Sequence, residues 1–451
     1  MTDDRVARWM NEIRVLDGGV GSECQKRSHL PIDGHKAWSC RLLKEDPNLV
    51  CEVHKSYLRA GCDVLSTNTY QASPLTLAKA LKISDSEARE LMRHAVRLVR
   101  RAIATTNEES FAADTHQWKS RKLPVLVAGS LGPYGACLAD GSEYSGSYAD
   151  KMTFDELVEF HYARAKILVD AGVDFLAWET IPILMEVVAI AEVMRRLPQA
   201  LAWLSVASSN GQTTVGGDPL HQVAFEIQKC DQIFGIGVNC CIEHDKIGLA
   251  LSNLNIGQDG CGPGTDDGYH PPPCSKRPEH LDKLSTKPRK LLVLYANSGE
   301  MWSPPPKGLS RRRGHWVWPP NKGPSVWART IAQFSMRRCA DWEKELFNGV
   351  AVRRSDPEAV YPKAQWVGGC CRVGPMEIRH LAILMKPDEV QDVFLETSLA
   401  IPSIQTPAST VLFRRQSARN KRKLTENYQR RIQPSRAVKS RRSVGYNQEE
   451  H

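Results

Sequence analysis

Eight short runs of β-branched and apolar residues, each separated from the next by a longer stretch with helical periodicity, leave this chain few architectures. The runs are 14–17 (RVLD), 63–67 (DVLST), 124–129 (PVLVAG), 174–179 (DFLAWE), 202–207 (AWLSVA), 233–239 (IFGIGVN), 291–297 (LLVLYAN) and 365–369 (QWVGG). Two of the intervening helices carry clear end signals. DPNLVCEVHKSYLRAG from Asp46 has an Asp-Pro start and a Gly stop, and SDSEARELMRHAVRLVRRAIA from Ser84 offers Ser and Asp as caps. Strand, helix, strand repeated eight times predicts an α/β fold, a closed (β/α)8 TIM barrel, with an open doubly wound sheet as the alternative. The runs end in small or reactive residues: DGG, TNTY, GSLGPYG, ETIP, NCC, NSGE and GGCC. In a barrel those ends converge on one face, where active sites sit.

At 451 residues the chain exceeds a single ordinary core, so a barrel with appendages is expected. The formal charge of +9 suggests nucleic-acid binding until it is located: residues 411–451 hold 12 Lys+Arg against 3 Asp+Glu, which accounts for the whole excess. The body is neutral, so a nucleic-acid partner is not expected for it. No apolar run reaches the roughly 18 residues of a membrane helix, and the acidic N-terminal stretch lacks a signal-peptide core, so the sequence reads as cytoplasmic. Thirteen cysteines, an odd number, are too sparse for a disulfide-stapled domain and read as thiols or metal ligands.

Three stretches interrupt the rhythm, at about 257–288, 302–325 and 347–362. Two are too rich in Pro and Gly for helix or central strand and are expected to be poorly ordered loops. The third separates the last helix, placed around Trp342, from the last strand. The barrel is bounded at residues 1–384. Residues 385–451 read as a low-complexity, disordered basic extension.

The sharpest chemical constellation is Cys240 at the end of the sixth run with Cys370-Cys371 at the end of the eighth. A disulfide between Cys370 and Cys371 is disfavoured, because sequential α-carbons lie about 3.8 Å apart, below the usual disulfide range. Adjacent ligands to one metal are feasible if the chain turns sharply, which Gly368-Gly369 would permit. Three thiolates and one open position make a catalytic zinc site rather than a structural one. The alternative is that the three are buried small hydrophobes. Strand alternation allows only one of Cys240 and Cys241 to face the mouth, and Cys240 is chosen. The other nine cysteines have no metal spacing. Asp17 before Gly18-Gly19 and Glu179 before Thr180 put carboxylates at two strand ends, able to hold an ammonium group, and bare Gly18 would let a small ligand approach closely; Asp17 also fits a plain turn residue. GGVG at 18–21 lacks the dinucleotide spacing, and no Walker A motif or paired-His zinc helix is present. His54 and His161 sit in helical segments as solvated or structural residues.

Taken in order, these ends resemble the zinc-dependent homocysteine S-methyltransferases. The motifs are Asp17-Gly18-Gly19, GSLGPYGACLADGSEYSGSY at 129–148, Glu179-Thr180-Ile181-Pro182, Gly237-Val238-Asn239-Cys240, Asn297-Ser298-Gly299-Glu300 and Gly368-Gly369-Cys370-Cys371-Arg372. The likeness spans roughly residues 13–380. Ala296 departs from the family's Pro before Asn-Ser-Gly-Glu. The resemblance implies Zn2+ held by Cys240, Cys370 and Cys371, and homocysteine bound through Asp17, Gly18 and Glu179. Ser130, Tyr134 and Asn297 would be further substrate contacts. The long GPYGA-LADGSEY segment looks like the branch whose methyl donor is a sulfonium, S-methylmethionine or S-adenosylmethionine. Selenocysteine or another small thiol is an alternative acceptor. From a different class, the chain could be a catalytically impaired barrel, with the last insert misplacing Cys370 and Cys371 and the basic tail binding nucleic acid or acidic partners.

Overall fold

The computed structural model describes residues 4–112, 123–257, 288–303, 315–335 and 362–387. All eight expected strands form: β1 (Arg14–Val15), β2 (Val64–Ser66), β3 (Leu126–Leu131), β4 (Phe175–Ile181), β5 (Ala202–Ala207), β6 (Ile233–Cys240), β7 (Leu291–Ala296) and, after a short hairpin, β10 (Trp366–Gly369). They pair in parallel in the order β1-β10-β7-β6-β5-β4-β3-β2. A parallel bridge between Leu16 and Val64 joins the two ends of that order, so the sheet closes into a cylinder and the open-sheet alternative falls.

Alternation along each strand sorts the side chains between two cores. In β5, Ala202, Leu204 and Val206 pack outward against the helices, while Trp203 faces the barrel interior. The lower interior is filled by rings. Phe175, Phe234, Trp203 and Trp366 are joined there by Trp9, from the N-terminal helix Asp4–Trp9, with ring centroids 5.0 to 6.2 Å apart. Nothing in the sequence pattern pointed to that plug, because a six-residue helix carries too little periodicity. With one end stoppered, a ligand can enter only at the other.

The capping signals work as expected. Asp46 accepts a hydrogen bond from the Leu49 N–H (3.1 Å) to start Pro47–Ala60, and Gly61 at φ 102° ends it. Ser84 and Glu87 cap each other's backbone N–H groups at the head of Asp85–Ala112.

The second interruption is not simply a loop. Its start forms β8 (Met301–Ser303), paired antiparallel with β9 (His315–Val317), and the helix Pro324–Ala332 begins within it. Trp302 lies opposite Trp316 with ring centroids 5.6 Å apart, a cross-strand aromatic pair that offsets the local Pro content. Most of the first and third interruptions, the helix expected around Trp342 and the basic extension from residue 388 lie outside the described residues. No helix among the described residues is long and apolar enough to cross a membrane. His54 and His161 are fully buried rather than solvated.

Candidate active site

A cavity of about 440 Å3 opens at the C-terminal ends of the strands. Its wall takes Asp17 and Gly18 from the end of β1, Ser66 from β2, Ser130 from β3, Glu179 from β4, Cys240 from β6 and Cys370-Cys371 after β10. Cys240 and, 130 residues later, the adjacent Cys370 and Cys371 bring their sulfurs within 4.8 Å of one another, and Cys240 Sγ lies 3.7 Å from Cys371 Sγ. This is the only such metal-competent group of His, Cys, Asp or Glu among the described residues.

The backbone explains how neighbouring residues reach one point. Cys240 has φ 63° and Thr180 φ 62°, left-handed values that are costly for non-glycine residues and break strand alternation at the rim. Asn239, one residue before Cys240, lies against the cluster without lining the cavity. Its Oδ1 accepts the Thr180 N–H (2.8 Å) and the Ser205 hydroxyl (2.9 Å), while its Nδ2 donates to Thr180 Oγ1 (2.8 Å) and lies 3.7 Å from Cys370 Sγ. At the other ligand segment, the sharp turn is not made by Gly368-Gly369. Those glycines lie in and at the end of β10, where a Cβ would fall 2.5 Å from Leu16 Cβ or 2.1 Å from Val373 Cγ1. The turn comes after them: the Val373 N–H bonds to the Cys370 carbonyl (3.1 Å), with Arg372 at φ 66° in the position that usually needs glycine. Arg372 is held there by Glu300 (Nε to Oε2, 2.9 Å), by Ser22 Oγ on its N–H (2.9 Å) and by its guanidinium lying 4.9 Å from the Trp316 ring centroid.

Burial sets the electrostatics. Three thiols crowd one corner of the cavity wall, Cys240 buried and Cys370 and Cys371 partly exposed. Hydrogen bonds from Cys240 and Cys370 hold Cys371 well below the ordinary thiol range, and donating those protons pushes Cys240 up. Such a set takes up a divalent cation by exchanging its remaining protons for metal bonds, and the donor chemistry of three sulfurs suits a borderline-soft ion. Burial raises the Asp17 carboxyl to about 7 against hydrogen bonds from the Ser66 N–H (2.7 Å) and hydroxyl (3.1 Å). It raises Glu179 to about 8, the nearby Asp17 and Cys371 adding to the effect and the Ser130 and Tyr295 hydroxyls opposing it. Glu179 Oε1 has no hydrogen-bond partner among the described residues. Two such carboxyls facing one cavity suit a cation that would restore their charge.

The remaining expected contacts sit differently. Gly18 lines the cavity, but its missing Cβ is demanded by the protein, since a Cβ there would fall 2.1 Å from the Val373 carbonyl oxygen. Tyr134 and Asn297 are not on the cavity wall. The Tyr134 N–H bonds to Glu186 Oε1 (2.7 Å), which also accepts from His161 (2.7 Å), and the Tyr148 hydroxyl bonds to the same carboxylate. Asn297 Oδ1 accepts the Cys371 N–H (3.0 Å), while its carbonyl takes the Trp327 indole N–H (3.0 Å). Both residues position the site from outside the cavity. Glu143, Tyr144 and Asn239 are not singled out by the sequence pattern. Tyr144 OH lies 3.8 Å from Cys240 Sγ. All three stand inside the motifs quoted above, but nothing local marks which motif residues turn inward. Cys241 is only partly buried and is not in the cluster, and Cys24, Cys40, Cys51, Cys62, Cys137 and Cys230 are buried and in no disulfide. Cys261, Cys274 and Cys339 lie outside the described residues.

Residues 14–385 match the family described as homocysteine S-methyltransferase, which covers the whole barrel. The chain belongs to that family. It is 31% identical over 385 residues to homocysteine S-methyltransferase 4 of Zea mays, covering 84% of this chain and 91% of that protein. It is 30% identical to a selenocysteine Se-methyltransferase of Brassica oleracea var. italica, over 81% of this chain and 86% of that one. The crystal structure of the metallated form of the homocysteine methyltransferase from Escherichia coli superposes with a TM-score of 0.56 at 28% identity, over 84% of this chain and 98% of that chain. Family and fold together make the chain a methyltransferase built on a (β/α)8 barrel.

Proposed function

We propose that the chain transfers a methyl group from a sulfonium donor, S-methylmethionine or S-adenosylmethionine, to homocysteine, giving methionine, with Zn2+ held by Cys240, Cys370 and Cys371. The observation that carries this reading is the convergence of three thiols from two distant strand ends on one point in the cavity wall. Bound there, zinc would keep one position open and hold the acceptor sulfur deprotonated, where a free thiol of pKa about 8.5 is mostly protonated at neutral pH. Asp17 and Glu179, both in the same wall, receive the acceptor's ammonium group and so fix where its sulfur lies. Asn239 and Asn297 keep the cysteines in register, and the aromatic plug below keeps water from entering behind the substrate. In the transfer the acceptor sulfur forms a bond to the methyl carbon as the donor's sulfur–methyl bond breaks, and the donor leaves as a neutral sulfide. Nucleophile and donor charges cancel, which a water-poor cavity favours.

The test combines metal analysis with methionine formation from homocysteine, using each sulfonium donor in turn. Stoichiometric zinc and methyl transfer are expected. Protein that folds cooperatively but binds no metal would overturn the reading. Selenocysteine as acceptor is a second arm, motivated by the selenocysteine methyltransferase relative; faster turnover with the selenol would reassign the acceptor.

A further inference from the structure

Asp17 and Glu179 answer one ammonium group, but the cavity wall carries a third carboxyl, Glu143. It sits in the 3-10 turn Ser142–Tyr144, is 6% exposed, and its Oε2 is buried without a hydrogen-bond partner among the described residues. The turn is held in place. The Ser142 N–H bonds to Asp140 Oδ1 (3.0 Å), Gly141 takes φ 82°, and Gly135 packs so close that a Cβ on it would lie 2.6 Å from the Glu143 nitrogen. Burial, together with the negative charge of Asp140 and Cys371, raises the Glu143 carboxyl, so an incoming cation gains by pairing with it. Among the described residues of the cavity wall, the basic side chains are Lys36, which is exposed, and His35, which burial and the Arg41 charge keep below the ordinary imidazole range.

Resting on the function proposed above, we infer that Glu143 binds the α-ammonium group of the methyl donor, which makes the donor a sulfonium amino acid rather than a sulfonium or quaternary-ammonium acid that lacks an amine. The chemistry selects the ammonium over the sulfonium as the group it pairs with. The sulfonium loses its charge as the methyl leaves, so a carboxylate against it would stabilise the ground state more than the transition state. The ammonium keeps its charge throughout, and a carboxylate there contributes equally to both. Loss of Glu143 should therefore appear in the donor's KM and not in kcat.

The test compares wild type with Glu143→Gln on two probes, S-methylmethionine and dimethylsulfonioacetate, which carries the sulfonium but no amine. A charged hydrogen bond lost on binding corresponds to a KM increase of about 10- to 100-fold for S-methylmethionine. Expected alongside are kcat within about twofold, and unchanged homocysteine KM, zinc content and KM for dimethylsulfonioacetate. An equal response of the two donors, or an effect in kcat or in the homocysteine KM, would overturn the inference. Calorimetric titration of zinc-loaded protein with S-methylmethionine in the absence of acceptor reads the same contact without turnover: a Kd weakened to the same extent supports it, and equal Kd values, or no binding by wild type, refute it. If the variant does not fold, wild type decides, since equal affinity for the two probes sinks the assignment. Binding that depends on Glu143 in a protein that transfers no methyl group would instead count against the proposed function.

Discussion

Glu179→Gln separates what the site costs the fold from what it does for the substrate. The side chain is buried, one oxygen has no partner, and burial pushes the carboxyl from 4.5 to about 8. A carboxyl raised in this way stays protonated in the folded protein while the unfolded chain ionises, so its contribution is complete below pH 4.5 and is lost as pH rises toward 8. At 1.36 kcal/mol per pH unit, ionising the unfolded reference disfavours the fold by about 1 kcal/mol at pH 5 and about 3 kcal/mol at pH 7. Glutamine keeps the shape and does not titrate. The stability of the variant relative to wild type should therefore rise by on the order of 2 kcal/mol between pH 5 and pH 7 and level off above pH 8. Urea unfolding of both proteins at pH 5, 6, 7 and 8, with a chelator present to remove metal binding from the balance, reads this directly. The KM for homocysteine should increase in the same variant, because an amide cannot neutralise an ammonium. Stability curves that run parallel across the pH range would refute the reasoning.

Three further outcomes follow from the geometry. Cys370→Ala should remove both zinc content and turnover, since it deletes one of three sulfurs lying within 4.8 Å; zinc retained at wild-type stoichiometry would refute the ligand set. Gly18→Ala should destabilise the fold by about 1 to 3 kcal/mol and weaken zinc binding, because the new Cβ would sit 2.1 Å from the Val373 carbonyl at the turn that carries Cys370 and Cys371. Thermal melts with and without zinc measure both effects. Glu186→Ala leaves the Tyr134 N–H, the Tyr148 hydroxyl and His161 without their acceptor in a fully buried site, and should cost about 3 kcal/mol or more in urea unfolding. Wild-type stability in that variant would mean that the network is not needed to hold the loop.

The fold was legible almost element by element. Each strand is a buried parallel strand, and such strands are written as continuous apolar runs, so all eight could be found without any long-range information. Helix ends such as Asp46 and Gly61 were legible because a cap is a local hydrogen-bonding arrangement. The β8–β9 hairpin was missed because prolines between its strands masked a Trp–Trp pair whose support, the Arg372 guanidinium, comes from far along the chain. In the site, Asp17, Ser130, Glu179 and the three cysteines were readable because strand ends of a barrel converge whatever their distance in sequence. Tyr134 and Asn297 stood in the right motifs, but contacts with Glu186 and Cys371, which local sequence does not connect to them, hold them outside the cavity.

The sequence by itself determined the eight barrel strands and the rim on which the reactive residues gather, because parallel strands linked by helices must all point the same way. Tertiary structure alone decided which atoms on that rim meet. Cys240, Thr180 and Arg372 adopt left-handed backbone that their own side chains disfavour, and it persists because contacts such as Asn239 with Thr180, and Glu300 with Arg372, hold it from elsewhere in the chain. The third carboxyl, Glu143, is held by its chain neighbours Gly135, Asp140 and Gly141, but only the fold brings that turn to the same cavity as the cysteines.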